Sequence, residues 1–153
     1  MSSLSFAEAI AGLPPNTPVI GLDLGSKTIG VAISDITLRI ASPIETIARK
    51  KFTEDAKRLL DITADRRAGL FVLGLPLNMD GSEGPRAQST RAFARNLGKL
   101  TPLPIVFWDE RLTTAAVQRM LIDADTSRAR RAEIVDKLAA VYILQSALDS
   151  LKR

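Results

Sequence analysis

Val19 to Asp35, VIGLDLGSKTIGVAISD, is an apolar β-run interrupted by one carboxylate just before a glycine-punctuated turn. A strand sends alternate side chains to opposite faces, so Val19, Gly21 and Asp23 share one face while Ile20, Leu22 and Leu24 share the other. Both faces are apolar apart from Asp23. That pattern predicts a central strand covered on both sides, where a carboxylate is costly unless a cation or strong donors compensate it. Beyond the turn at Gly25-Ser26-Lys27, residues Thr28 to Ser34 read as a second strand with Ile29, Val31 and Ile33 on one face. Its other face carries only the small side chains of Thr28, Gly30, Ala32 and Ser34. A hairpin of the two strands would leave an open floor beside Asp23.

The chain of 153 residues, with 46% hydrophobic and 25% charged residues, fits one domain with a full core. No run approaches the ~18 uninterrupted apolar residues of a membrane helix. The N-terminus lacks a basic start followed by an apolar core, so a cytoplasmic protein with no membrane partner is expected. With no Cys and no His, thiolate metal sites, disulfides and imidazole bases are all excluded. Acid–base or metal chemistry is left to carboxylates, Lys, Tyr and hydroxyl groups. A net charge of +4 favours a polyanionic partner.

Ser5 and Glu8 can form a capping box for a short helix through Ala11, within an N-terminal extension over residues 1–17 that reads as an appendage. Pro43 to Ile47 reads as a third strand completing an antiparallel meander. Lys50 to Arg67 reads as a helix with Thr53 as its cap. Gly69 to Leu75 is a short apolar strand, and Pro76 to Pro85 is a loop with Pro85 suited to the first turn of the next helix. In that helix, roughly Arg86 to Leu100, Phe93, Leu97 and Leu100 face the core, while Arg91, Arg95 and Lys99 line a basic ridge. The ridge is open between a solvated surface and a phosphate contact. Pro104 to Trp108 is another strand, followed by a helix capped by Thr113 and running to about Ile122. Asp123 to Arg131 reads as a basic loop, and the last helix, about Ala132 to Leu151, packs through Ile134, Leu138, Val141, Leu144, Leu148 and Leu151. Three antiparallel strands followed by strand–helix alternation predict an α/β fold with one mixed five-stranded sheet flanked by helices.

Glu110 ends an apolar strand, as Asp23 does, and shares a face with Val106 and Trp108. Asp109 points the opposite way. Asp136 heads a flank made of Ala140, Ile143 and Ala147, with no helical cation beside it. Alone, Asp136 could equally complement the helix dipole. Three carboxylates brought from two strands and a helix, without His or Cys, match the oxygen preference of Mg²⁺ or Mn²⁺. Two such ions ~3.5 to 4 Å apart would activate water and stabilise the leaving oxygen of a phosphodiester.

Four motifs in order, GLDLGSKTIGVAISD, VLGLPLNMDGSEGP, DERLTT and VDKLAAVYIL, resemble the YqgF family of pre-16S ribosomal RNA nucleases, which is also described as Holliday-junction-resolvase-like. The resemblance runs from about Val19 to Leu148. It implies a single RNase H-like nuclease domain, divalent-metal dependence and a role in maturing the 5′ end of 16S rRNA, with pre-16S rRNA and the pre-ribosomal particle as partners. Asp23, Glu110 and Asp136 match its proposed acidic triad and metal ligands. Gly25, Lys27 and Gly30 fall at its turn beside the substrate. Asn78 is open between touching substrate and fixing its loop, and Arg111 between holding a phosphate and forming a structural ion pair. Arg128, Arg130 and Arg131 form a candidate substrate clamp. Trp108, a bulky residue just before the acidic motif, departs from the family pattern without removing a carboxylate.

Three other readings compete. An ATP-using enzyme of the actin and sugar-kinase type shares the Asp23-Leu24-Gly25 turn but needs two domains. A resolvase of branched DNA would use the same metals, normally as a homodimer rather than a monomer. A non-catalytic nucleic-acid-binding module would gain nothing from acidic groups facing phosphate.

Overall fold

The computed structural model describes residues 4–112 and 128–151, with the backbone alone at Leu112 and over residues 128–137. Strands β1 (Ile20–Leu24), β2 (Thr28–Ser34) and β3 (Ala41–Ala48) form an antiparallel meander. Strands β4 (Phe71–Leu75) and β5 (Ile105–Asp109) add in parallel on the other side of β1, giving the order β3-β2-β1-β4-β5. The strand with two apolar faces is therefore central, and the sheet is the mixed one expected of an RNase H-like fold.

Each face of β1 buries a different layer. Ile20, Leu22 and Leu24 join Ile29, Val31, Phe71 and Leu73 beneath helix α2 (Phe52–Arg66) and helix α3 (Pro85–Gly98). Val19, Ala32, Val72 and Val106 pack on the opposite face against Ala140, Ile143, Leu144, Ala147 and Leu148 of helix α4 (Arg128–Asp149). No helix among the described residues is long and apolar enough to cross a membrane.

Local chemistry explains most boundaries and corrects several expected ones. Helix α1 (Phe6–Ala11) carries the Ser5–Glu8 capping box, with both hydrogen bonds at 3.1 Å. It is not an appendage: Phe6 and Ala9 are buried, and the Phe6 ring meets Trp108 edge-on at a centroid separation of 6.2 Å. Helix α2 is capped at Lys51 rather than Thr53, and the buried Asp55 carboxylate accepts the Lys50 N–H at 3.1 Å. Pro85 opens α3 as expected, but the helix ends at Gly98, which leaves Leu100 exposed. Helix α4 starts at Arg128, inside the expected basic loop. Its buried stripe is Ala140, Ile143, Leu144, Ala147 and Leu148, and Leu138 and Val141 are only half-buried. Residues 113–127, including the expected Thr113 cap and its helix, lie outside the described residues.

Between β2 and β3, Asp35 organises the connection. Its Oδ1 accepts the backbone N–H groups of Arg39 at 2.8 Å and Ile40 at 2.9 Å, and the Thr37 hydroxyl donates to Oδ2. The Ile40 N–H, then Thr37 and Arg39, hold the Asp35 carboxyl well below the usual carboxylate range. A depressed folded-state pKa stabilises the protein above the unfolded-state value and ceases to do so as acid protonates the group. Asp35→Ala is therefore expected to lower Tm by about 3 °C at neutral pH, with the gap to wild type narrowing below about pH 4 in paired thermal scans.

Candidate active site

The C-terminal ends of the parallel strands β1, β4 and β5 open along one edge of the sheet. Asp23 lies near the end of β1, in register with Gly30 of β2. Glu110 follows β5 directly, in a single 3-10 turn spanning Glu110–Leu112. Between them runs β4, and at its closest point stands Gly74. A Cβ built there would lie 2.8 Å from Glu110 Oε1 and 2.5 Å from Ile143 Cδ1. The glycine thus lets the Glu110 side chain pass over β4 toward Asp23, and the two carboxyl groups hydrogen-bond each other.

Burial first, then the charge of Asp23 and the hydrogen bond to it, push the Glu110 carboxyl up to about 7, against the opposing charge of Arg86 on α3. Two acids brought together in a half-buried site favour holding a proton, because burial and their mutual repulsion both disfavour the doubly charged pair. Hard oxygen donors with this excess of negative charge fit a divalent cation such as Mg²⁺ or Mn²⁺, which would displace that proton.

Asp136 lies on α4, eight residues beyond Arg128. The helix dipole acts within the first turn, so the dipole role open to Asp136 in sequence falls away. The positions expected to share its flank, Ala140, Ile143 and Ala147, are all buried against the sheet. The side chain of Asp136 is outside the described residues, and among those described no group of three or more acidic residues forms a metal cluster.

The remaining candidates separate clearly. The Gly25 N–H donates to Thr28 O at 2.8 Å, closing the β1–β2 turn, and the Gly25 carbonyl accepts from Arg49 Nη1 at 2.7 Å. Lys27 is exposed on that turn. Asn78 fixes its own loop: its N–H donates to Ser82 O, its side-chain amide to Ser82 Oγ, and its carbonyl accepts from Gly81, whose φ of +87° favours glycine. Arg111 forms the ion pair, donating to Asp109 at 2.7 to 3.1 Å and to Met79 O at 3.3 Å. Asp109 is engaged by Arg111. Arg91 is likewise taken up by Glu83, at 2.6 and 2.8 Å, and lies over the Phe107 ring. Arg128, Arg130 and Arg131 lie on the first turn of α4 instead of in a loop.

Gly21, Gly74, Arg49 and Arg86 were not among the expected site residues. For the two glycines a signal existed: a glycine inside an apolar strand often marks a close approach of another segment. A Cβ on Gly21 would lie 2.7 Å from Leu144 Cβ and 3.2 Å from Ala140 O. For Arg86, which acts on Glu110 across space, the sequence held no cue.

A family profile described as RuvX, Holliday junction resolvase, matches residues 17–150. A curated relative from Roseobacter denitrificans is 62% identical over 148 residues, covering 95% of this chain and 91% of the relative. Another, from Cereibacter sphaeroides, is 65% identical over 147 residues, covering 96% and 92%. Both carry the provisional name pre-16S rRNA nuclease. Among solved structures, T. thermophilus RuvC in complex with a Holliday junction substrate aligns with a TM-score of 0.55 at 11% identity, covering 88% of this chain and 95% of that one. The fowlpox virus Holliday junction resolvase aligns with a TM-score of 0.51 at 17% identity, covering 88% and 100%. These structural likenesses establish the fold. With a profile match spanning nearly all of the chain and relatives above 60% identity, the protein belongs to the RuvX family of nucleases, the family that its four motifs resemble under the name YqgF.

Proposed function

We propose that the chain is a divalent-metal-dependent nuclease that hydrolyses phosphodiester bonds of pre-16S rRNA in 5′ end maturation, acting in the cytoplasm on the pre-ribosomal particle. The observation that carries this reading is the Asp23–Glu110 pair, two carboxyl groups held together at the open edge of the sheet. The names of the curated relatives support the RNA substrate. Asp23, Glu110 and Asp136 would hold the cations. When bound, Mg²⁺ or Mn²⁺ supplies an activated water and a counter-charge for the leaving oxygen. Gly74 and Gly30 keep side-chain bulk away from the carboxylates, and Arg86 provides a positive charge within electrostatic reach of Glu110. Lys27, Arg128 and Arg130 are the proposed contacts to the substrate backbone, while Arg111 and Asn78 act by shaping the neighbouring loop.

The test is cleavage of an end-labelled 16S precursor leader, with a four-way DNA junction in parallel, by wild type and Asp23→Asn, with Mg²⁺ or Mn²⁺ and then EDTA. RNA cleavage that requires metal and disappears in the variant is the expected result. Cleavage of the junction alone would transfer the function to DNA resolution, which the family's description favours. Cleavage of neither would overturn the nuclease reading.

A further inference from the structure

We propose that the basic corner formed by Lys27, Arg49, Lys50 and Lys51 is the track for the phosphodiester backbone, so that nucleic acid reaches the carboxylates past the β1–β2 turn, at the end of the sheet where α2 begins. This rests on the nuclease reading of the same site.

The backbone ladder positions the corner. Asp23, Gly30 and Thr46 stand in register across β1, β2 and β3. Two residues further along, Thr28 pairs with Ala48, and the Arg49 N–H donates to Lys27 O at 2.9 Å. The segment leaving β3 is therefore tied to the β1–β2 turn. At ~3.3 Å per strand residue the corner stands roughly 7 to 10 Å beyond the level of Asp23, a span of about two or three nucleotide steps.

Its charges are available to a ligand. Lys27, Lys50 and Lys51 are exposed, and none of the four residues forms an ion pair among the described residues. Arg49 is held in place, with Nη1 donating to Gly25 O at 2.7 Å and its guanidinium 5.7 Å from the centre of the Phe93 ring. The acids nearest in sequence are Asp23 of the site itself, Glu45, which is paired with Arg58, and Glu54 and Asp55. Asp55 is buried with its carboxylate against the Lys50 N–H, so the corner keeps an excess of positive charge.

The other side of the carboxylates is different. There Arg91 is paired with Glu83 at 2.6 Å and Arg111 with Asp109 at 2.7 Å. The ridge of α3, which the sequence offers as a phosphate contact, has thus lost its leading cation. Among the described residues, a polyanion meets four cations outside ion pairs at the corner, whereas toward α3 two of the cations, Arg91 and Arg111, are already held by carboxylates.

The experiment measures binding of a labelled single-stranded RNA, and separately of a four-way DNA junction, by fluorescence anisotropy over a KCl series without divalent metal. Wild type, Lys50→Glu/Lys51→Glu and Arg95→Glu/Lys99→Glu are compared, with circular dichroism to verify folding. Losing two phosphate contacts should weaken binding by about tenfold at low salt and flatten the slope of log K against log salt by roughly 1.4 to 1.8. The α3 variant should match wild type. Lys51→Ala, a milder change at an exposed position, should move both readouts in the same direction by a smaller amount. Unchanged binding by the Lys50/Lys51 variants, or equal weakening by the α3 variant, overturns the track. If wild type still cleaves in that case, the nuclease reading stands without it. A folded wild type that binds neither probe overturns both.

Discussion

Glu110→Gln is expected to abolish metal-dependent cleavage while making the metal-free protein more stable at neutral and alkaline pH. The two effects share one cause. Altering only the outer-shell partners of a metal site costs about 10- to 100-fold, so removing the charge of a proposed ligand should cost roughly 100-fold or more in rate. In the folded protein the Glu110 carboxyl titrates at about 7, above its ordinary value of 4.5, because of burial and then the charge of Asp23. A raised pKa in an acid means that the folded state holds the proton more tightly than the unfolded state does. The contribution of this group to stability is therefore greatest below about 4.5 and declines as pH rises toward 7. Glutamine removes the charge that causes the decline. The gain at pH above 7 is on the order of 2 kcal/mol, after discounting for the part of the site open to solvent. Added Mg²⁺ or Mn²⁺ should reverse the ranking, stabilising wild type and leaving the variant nearly unchanged. Thermal denaturation of both proteins across pH, with and without metal, measures this directly. A variant less stable than wild type in EDTA at alkaline pH would show that the carboxyl pair is not under electrostatic strain.

The second large effect is expected at Gly21, which touches no substrate in the proposed reading. Gly21→Ala would bring a methyl group to 2.7 Å from Leu144 Cβ and 3.2 Å from Ala140 O. The Ala140 oxygen belongs to the helix backbone and cannot move alone, so α4 must lift from the sheet. Overpacking of this kind costs about 3 kcal/mol, which lowers Tm by roughly 6 to 12 °C in a chain of this size. Cleavage should fall as well, at temperatures where the variant remains folded, because α4 carries Asp136, the third proposed metal ligand. Gly12→Ala is the matched control, since its new methyl would meet nothing nearer than Ala9 O at 3.8 Å. Urea unfolding and cleavage of the two variants side by side give the comparison. Equal stability of Gly21→Ala and wild type would mean that the helix sits on the sheet with slack.

The sheet could be read from the chain because its cues are local. Period-two alternation around Asp23, small residues facing it from β2, and Pro85 at the start of a helix all act within a few residues. By resemblance the motifs point to Asp23, Glu110 and Asp136, and the structure brings the carboxyl groups of the first two together. Boundaries and partners were harder. Leu100 fits the apolar spacing of α3, yet the helix stops at Gly98 and leaves it exposed. The basic stretch before Asp136 has loop composition, yet its last four residues, Arg128 to Arg131, are helical.

Sequence alone determined the fold class, the central place of β1 and the exclusion of thiolate and imidazole chemistry, because composition and side-chain alternation suffice for each. Only tertiary structure decided which charges remain available. Arg91 and Arg111 are ordinary basic residues in the chain, but packing gives them to Glu83 and Asp109. It also decided that Glu110 leans over Gly74 onto Asp23 and that Phe6 belongs to the core. The lean of Glu110 over Gly74 and the burial of Phe6 depend on distances between elements far apart in sequence, and neither periodicity nor motif spacing encodes such distances.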